Sequence, residues 1–302
     1  MILSASRRTD IPAFYSEWFM KGLKAGEFYV RNPVNIHQVS RIFPLSPKFI
    51  DGIIFWSKNP LSMIKRIPEL EGYVYYLQFT LNAYGQDIEP NLPNIGERIR
   101  TFQELGRLIG SRKLVWRYDP IFFTGTYTLD FHAYAFKKLA AELSGYTDTC
   151  VISFLDIYRH IAANIRAAGV EDYNEHKQRE LAGIFSGIAE RYSLKLETCA
   201  EKIDLSEFGI RHSSCIDKSR LEELGGFVLK VSKDKNQGKE CGCCESIDIE
   251  EYGTCQHGCI YCYARRNRVI NPNEDRVTER VMKSLRVKRN PADRTISLPF
   301  DD

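Results

Sequence analysis

The chain has 302 residues, 43% of them hydrophobic and 27% charged, and its formal net charge at pH 7 is +3. This length and composition predict a globular protein with one large domain, or one domain and a small appendage, and the small charge does not by itself indicate a nucleic-acid partner. Because no apolar run approaches the roughly 20 residues of a membrane span and no leader is recognisable, we expect a soluble cytoplasmic protein.

The first two thirds of the chain alternate between short apolar runs and amphipathic stretches. Strands are predicted at residues 2–6, 52–56, 74–81, 113–117, 150–154 and 195–197, and helices at 14–24, 95–108, 130–143 and 177–192. Alternation at this spacing is typical of βα units, whose strands pair in parallel. The sequence therefore predicts an α/β fold, and specifically a βα barrel.

Polar side chains follow several of the predicted strands. They are Thr9 and Asp10, then Ser57, Lys58 and Asn59, then Arg117 and Asp119. In a parallel barrel the carboxyl ends of the strands meet at one edge, where binding and catalytic sites are built. We expect these side chains to face one site, although an Arg–Asp pair closing the rim and a solvated lysine are the structural alternatives.

The character of the chain changes after Cys199. Residues 199–245 are rich in Gly, Cys and charge and weak in periodicity, which predicts a loop-rich insertion. A short strand at 246–249 follows, and a helix is possible after Cys262. We therefore divide the chain into a barrel core at 1–198, a Cys-rich insertion at 199–245, and a last βα unit with a basic tail at 246–302.

Three thiols lie close together near the end of the chain, at Cys255, Cys259 and Cys262, with the spacing C-x3-C-x2-C. Three thiolates in one short loop can each ligate a different iron of a [4Fe–4S] cube and leave the fourth iron open to a small molecule. A zinc site is the alternative, but zinc ligands usually come as two Cys pairs or as Cys pairs with His partners. His257 could complete a zinc tetrahedron only with strain, because it lies between the ligands in a tight loop.

The same loop carries an aromatic residue, Tyr261, directly before the last cysteine, and so resembles the signature of the radical S-adenosylmethionine (SAM) superfamily. The resemblance implies a [4Fe–4S] cluster that holds SAM and reductively cleaves it to a 5′-deoxyadenosyl radical, which abstracts hydrogen from a substrate. It also implies a position for Tyr261 beside the cluster and the adenine, although an isolated aromatic is more often a core residue.

The cysteine loop usually follows the first strand in that superfamily, whereas here it follows the last. The chain thus resembles a circularly permuted radical SAM barrel. Residues 252–265 resemble the cluster loop of the spore photoproduct lyase-like branch, and three further segments occupy the places of its later motifs: residues 9–12, 57–60 and 117–120, with an inserted Ile11, Ser57 in place of Thr, and an extra Asp119. The chain as a whole resembles an uncharacterised family, the domain of unknown function 1848.

On this resemblance the polar strand-end residues would contact SAM. Arg117 and Asp119 would hold its carboxylate and its ribose or ammonium group, and Lys58 with its neighbours Ser57 and Asn59 would supply a cation at the mouth of the barrel. Thr9 and Asp10 would lie where SAM or the substrate sits. No residue is predicted to act directly in catalysis.

A second set of thiols comes from three separated segments: Cys199, Cys215, Cys241 and Cys243. Four protein ligands suit an auxiliary [4Fe–4S] cluster or a closed structural zinc site, and the sequence does not decide between them. Cys243 is chosen over the adjacent Cys244 because the family pattern is Cys-Gly-Cys, and Cys150 is expected to be a buried strand residue.

The expected partners are a substrate of unknown class, which could be a nucleic acid, a peptide or a metabolite, and a reductant such as flavodoxin or ferredoxin. Residues 265–294 hold ten Arg or Lys against four Asp or Glu, which could bind phosphates but is more often a solvated helix face. A rival interpretation is a non-catalytic, metal-stabilised nucleic-acid-binding protein.

Overall fold

The computed structural model describes residues 1–33, 35, 38–265 and the backbone of 295–297, and its centre is a sheet of eight parallel strands. The strands are β1 (Ile2–Ala5), β4 (Gly52–Ser57), β5 (Tyr75–Thr80), β6 (Leu114–Ile121), β7 (Thr149–Phe154), β8 (Lys195–Cys199), β9 (Arg211–Ser213) and β10 (Ile247–Asp248). Their order is β10-β1-β4-β5-β6-β7-β8-β9, and each neighbouring pair is parallel. The predicted α/β class is therefore confirmed.

Helices connect most of these strands. They are α1 (Ile11–Phe14), α2 (Ser16–Ala25), α3 (Leu61–Ile64), α4 (Ile95–Ile109), α5 (Leu129–Leu143), α6 (Ala162–Ala167), α7 (Glu175–Arg191) and α8 (Lys218–Gly225). The three longest begin at residues that the sequence marks as N-caps: the side chains of Asn94, Thr128 and Asn174 each accept a hydrogen bond from the backbone N–H three residues later. The predicted helices at 95–108, 130–143 and 177–192 are accordingly confirmed to within two residues.

A small antiparallel sheet lies outside the central one. It contains β2 (Phe28–Arg31), β3 (Gln38–Ile42) and β11 (Thr295–Ser297), in the order β11-β3-β2. The sequence pattern indicated an apolar stretch at 28–31 but did not predict the pairing. The partner strand β3 is short and carries Gln, Ser and Arg, so its alternation is weak.

The two faces of the central sheet are buried against different partners, because alternate residues of a strand point to opposite sides. Phe55, Leu77, Trp116 and Ile152 belong to the large core under the helices. Their sequence neighbours on the other face pack against apolar residues of the Cys-rich insertion; the strand members of this second core are Ile2, Ile54, Tyr76, Val115 and Val151, and the insertion members include Ile216, Leu221 and Leu229. The insertion therefore covers this second face of the sheet, which we call the inner face.

The Cys-rich insertion, predicted to be rich in loops, also contains regular elements. It contains β9, which extends the central sheet, and α8, which begins at Asp217, where the carboxylate accepts a hydrogen bond of 2.8 Å from the Ser219 N–H. The possible helix after Cys262 and the basic tail lie outside the described residues, except for Arg265 and the backbone of β11. Within the described part of the chain, no helix has both the length and the apolar character needed to cross a membrane.

Candidate functional site

The cysteine loop is positioned by the pairing of β10 with β1. The register joins Leu3 to Ile247 and Ser4 to Asp248, so the segments that follow both strands leave the sheet side by side at its carboxyl edge. Cys259 is buried, and Cys255 and Cys262 are partly buried. Burial raises the pKa of all three thiols, so the loop encloses them in a site largely removed from solvent.

Backbone hydrogen bonds fix the shape of this loop. The Gly253 N–H donates to the Ala264 carbonyl at 3.2 Å, closing its base, and the Ile260 N–H donates to the Ile88 carbonyl at 3.1 Å, anchoring its centre. Gly258 has φ of +72°, and a Cβ there would lie 3.1 Å from the Asn91 amide nitrogen. Glycine is therefore required at this position both by the backbone angle and by the close approach of the neighbouring loop.

Asp10 joins three loops at one buried carboxylate. Its Oδ1 accepts hydrogen bonds from the Ala13 N–H at 2.9 Å and the Ser57 hydroxyl at 2.8 Å. Its Oδ2 accepts from the Lys58 N–H at 2.8 Å and lies 2.7 Å from His257 Nε2. Burial alone would raise the pKa of Asp10, but the bonds from His257, Lys58 and Ser57 outweigh it and lower the pKa. The carboxylate thus holds the cysteine loop against β1 and β4.

A buried charge network lies on the other side of the loop. Lys58 Nζ is 2.9 Å from Glu89 Oε1 and 2.7 Å from the Tyr261 hydroxyl, which itself donates to Glu89. Arg98 Nη1 lies 3.1 Å from Glu89 Oε2 and donates further bonds to backbone carbonyls. Burial opposes the ionisation of Glu89, yet Lys58 and Arg98 lower its pKa to about 2. One carboxylate therefore pairs with two cations beside the thiols.

Tyr261 is placed by its neighbours rather than left free in the site. Its ring centroid lies 6.3 Å from that of Tyr84 and 6.1 Å from that of Phe122, in an apolar cluster that also includes Cys259. The predicted position of Tyr261 beside a cluster and the adenine of SAM stays a prediction.

The predicted strand-end residues divide into two groups. Asp10, Ser57 and Lys58 lie against the cysteine loop, and the Asn59 N–H donates to the Ser57 hydroxyl at 3.1 Å. Arg117 instead lies on the inner face, where Nη1 is 2.8 Å from Gln78 Oε1 and 3.1 Å from Cys215 Sγ. Its other nitrogens donate to Asp119 Oδ2 at 2.8 and 2.6 Å. The pair thus faces the second set of thiols.

The second set of thiols converges from three segments. Cys199 Sγ lies 2.7 Å from Cys215 Sγ, and both thiols are free, since a disulfide would require about 2.05 Å. Hydrogen bonds from the thiols of Cys199 and Cys243 lower the pKa of Cys215, and a hydrogen bond from Cys243 lowers the pKa of Cys241 to about 6. The structure therefore brings together all four cysteines that the sequence grouped.

Arg7 lies between the two thiol sets. Its guanidinium is 3.8 Å from both Asp234 and Asp248 and stacks over Trp56 at 5.8 Å. Burial alone would lower the pKa of Arg7, but its acidic neighbours outweigh burial and raise the pKa. These neighbours are Asp248, the thiols of Cys243 and Cys215, and Tyr263 of the cysteine loop. One cation is thus shared by the inner face and the loop.

Buried polar atoms without a hydrogen-bond partner concentrate at the same edge. Among the described residues six such side-chain atoms occur, and five of them belong to β1, β10 and the segments flanking them: Ser4 Oγ, Thr9 Oγ1, Ser246 Oγ, Asp248 Oδ1 and His257 Nδ1. Buried polar groups are normally paired with protein, water or a ligand. This edge therefore has unused capacity to bind a polar group.

Across the described residues, no group of three or more His, Cys, Asp or Glu side chains has the compact arrangement of a site for a single metal ion. A polynuclear cluster has a different requirement, because each of its thiolate ligands binds a different iron.

Three important residues were missed or misjudged from the sequence. Glu89 lies in a Pro- and Asn-rich segment and Arg98 on an amphipathic helix, where both types are usually exposed, and neither shows any local sign of burial. His257 was considered only as a metal ligand, whereas its Nε2 bonds Asp10.

Comparison with known protein families gives a match over most of the chain. The family model described as "Domain of unknown function (DUF1848)" matches residues 2–264, which confirms that resemblance of the sequence. No curated protein matches the chain.

Proposed function

The chain belongs to the DUF1848 family, and from that starting point we propose that it is a radical SAM enzyme built on a circularly permuted βα barrel. Cys255, Cys259 and Cys262 would hold the [4Fe–4S] cluster. With SAM bound, such a cluster supplies on one-electron reduction a 5′-deoxyadenosyl radical that abstracts hydrogen from a substrate. The family description assigns no activity, so the proposal depends on the site.

The observation that carries the proposal is the position of the cysteine loop. It follows β10, which pairs in parallel with β1, and it therefore stands at the carboxyl edge of the sheet although it is late in the sequence. In parallel α/β proteins ligands bind at this edge. A permutation that moves the first βα unit to the end of the chain would produce this strand order.

The donor set fits the cluster. Three thiols in one enclosed loop provide three ligands and leave one iron without a protein ligand. Lys58 would offset part of the negative charge of the thiolates, since both the thiol of Cys259 and that of Cys262 lie within its electrostatic reach. Glu89 and Tyr261 hold the Lys58 ammonium in place, and Asp10 fixes the loop that carries the thiols.

The surroundings fit a polar small molecule such as SAM. Thr9 Oγ1 and Ser4 Oγ have no hydrogen-bond partner, and Asp248 Oδ1, beside Ser4 in the strand register, has only the ion pair with Arg7 at 3.8 Å. These atoms offer hydroxyl and carboxylate groups to the amino, carboxylate and ribose groups of SAM. Arg117, by contrast, is committed to Asp119 and Cys215, so we assign it no SAM contact.

The test is anaerobic reconstitution with iron and sulfide, followed by reduction in the presence of SAM and measurement of 5′-deoxyadenosine. We expect the product from the intact protein and none from the variant Cys255→Ala/Cys259→Ala/Cys262→Ala. The matched control is Cys150→Ala, which removes a buried thiol on β7, five strands along the sheet from β10, and should keep the product in proportion to folded protein.

Absence of 5′-deoxyadenosine from a protein that has bound iron would overturn the proposal. If the loop instead binds zinc and the protein shows a salt-dependent affinity for DNA or RNA, a nucleic-acid-binding role replaces it.

A further inference from the structure

We propose that Cys199, Cys215, Cys241 and Cys243 hold a second [4Fe–4S] cluster on the inner face of the sheet, with Arg117 as a charge partner of its sulfurs. The site is separate from the loop of Cys255, and its assignment stands on its own contacts. With four protein ligands no iron is open to a chelating molecule, so the centre would transfer electrons.

The first argument is convergence. Cys199 ends β8, Cys215 follows β9 directly, and the other two precede β10, yet Cys199 and Cys215 are in contact and Cys243 reaches both Cys215 and Cys241. Thiols that converge from three separate segments provide the donor set of one shared ligand.

The structure also distinguishes the two adjacent cysteines. Cys243 Sγ accepts a hydrogen bond of 3.3 Å from the Ile216 N–H and faces the other thiols. Cys244 Sγ instead donates to the Ile216 carbonyl at 3.4 Å. Because the Cys243 thiol contacts Cys215 and Cys241 while the Cys244 thiol is bonded to a backbone carbonyl, we assign Cys243 as the ligand.

The second argument is charge. Four thiolates carry more negative charge than the iron–sulfide core offsets, and burial of that charge requires a nearby cation. Arg117 is buried, with Nη1 only 3.1 Å from Cys215 Sγ. Arg7 is a second nearby cation, with the Cys243 and Cys215 thiols among its electrostatic neighbours. Hydrogen bonds to the sulfurs and nearby cations stabilise the reduced, more negative state of a cluster.

The third argument separates iron–sulfur from structural zinc. A structural zinc ion typically stabilises a small unit that lacks a core of its own. Here the insertion already buries Ile216, Leu221 and Leu229 against the sheet. Arg7 is an electrostatic neighbour of these thiols, and its carbonyl accepts a hydrogen bond from the Tyr263 hydroxyl of the cysteine loop, so one residue connects the surroundings of the two thiol sets. This position favours a redox centre.

The experiment uses the full chain, reconstituted anaerobically, and compares iron, zinc and sulfide content with the electron paramagnetic resonance spectrum after reduction. We expect about eight irons per chain in the intact protein, about four in the Cys255→Ala/Cys259→Ala/Cys262→Ala variant and about four in the Cys199→Ala/Cys215→Ala/Cys241→Ala/Cys243→Ala variant. The matched control Cys244→Ala should keep about eight.

The variant without the first three cysteines decides the question even if the fourfold variant does not fold. Retention of a reducible [4Fe–4S] cluster in it supports the inference, whereas an iron-free or zinc-containing protein overturns it. The intact protein's formation of 5′-deoxyadenosine is scored separately, so failure of this inference and failure of the proposed function are distinguishable.

A further substitution tests Arg117 in the same background. Arg117→Gln should make the reduction potential of the retained cluster more negative, while the exposed Arg112→Gln should leave it unchanged. Equal potentials in the two variants would overturn the assignment of Arg117 as the charge partner.

Discussion

Replacing Asp10 by Asn tests whether one carboxylate holds the cysteine loop to the sheet. The new amide can keep the two bonds at Oδ1, from the Ala13 N–H and the Ser57 hydroxyl. In the native protein Oδ2 accepts a hydrogen bond from the Lys58 N–H and lies next to His257 Nε2. In the variant an NH2 group replaces Oδ2 and cannot accept either bond. The substitution therefore removes two bonds to a charged acceptor without changing the size of the side chain.

A hydrogen bond to a charged group contributes about 1.5–3 kcal/mol, so loss of both predicts a decrease of about 3–6 kcal/mol in the free energy of unfolding. His257 can recover one bond by changing tautomer, which lowers the smallest expected decrease to about 2 kcal/mol. The decrease is large because the site is buried: only 4% of Asp10 is exposed.

This decrease is measured by urea unfolding under reducing conditions, with tryptophan fluorescence as the readout and samples of matched metal content. The control is Asp51→Asn, since Asp51 pairs with the N-terminal amine at the surface and its removal should cost less than about 1 kcal/mol. If Asp10→Asn is no more destabilising than Asp51→Asn, the carboxylate does not hold the three loops together.

Two further predictions concern buried groups elsewhere. Arg98→Met should lower the free energy of unfolding by about 3–5 kcal/mol, because it leaves Glu89 with one cation. The control Arg107→Met, on the exposed side of α4, should lower it by less than about 1 kcal/mol, and similar urea midpoints for the two variants would contradict this prediction. Burial lowers the pKa of His132 from 6.5 to about 4, so the unfolded chain takes up its proton first as the pH falls. His132 should therefore lower the free energy of unfolding by up to about 3 kcal/mol as the pH falls from 6.5 to 4. If the free energy of unfolding of a His132→Gln variant falls with pH as steeply as that of the native protein, His132 is not the cause.

The sequence was a good guide to the elements that have a strong local signal. Gly52–Ser57 and Tyr75–Thr80 are rich in β-branched and aromatic residues, and α4 has an Asn cap and a clear apolar stripe, so both types of element were predicted close to their bounds. α8 was missed because Gly- and charge-rich flanks hide a helix of eight residues that buries only Leu221. Pairing partners such as β3 depend on distant residues and leave no local pattern.

The site was predictable where chemistry requires particular residue types. The sequence grouped Cys199, Cys215, Cys241 and Cys243, and the structure places their thiols near one another, while their role as metal ligands stays a prediction. The role of Arg117 was not predictable in the same way: a strand-end arginine can turn to either side, and its contact with Cys215 depends on how the insertion packs on the inner face. The burial of Glu89 and that of Arg98 are possible because the two charges pair with each other. The sequence alone does not show that these two residues meet, so it did not predict that either is buried.

The contact between His257 and Asp10 joins residues 247 positions apart. Domains are made at about 5–20 residues per second, so roughly 12–50 seconds separate the synthesis of the two partners. During that time Asp10 and Lys58 are already part of the nascent chain, while the thiols of the loop have not yet been translated. The cluster proposed for this loop could therefore form only after residue 262 has been translated, and a product terminated before residue 255 carries Asp10 and Lys58 without the three thiols.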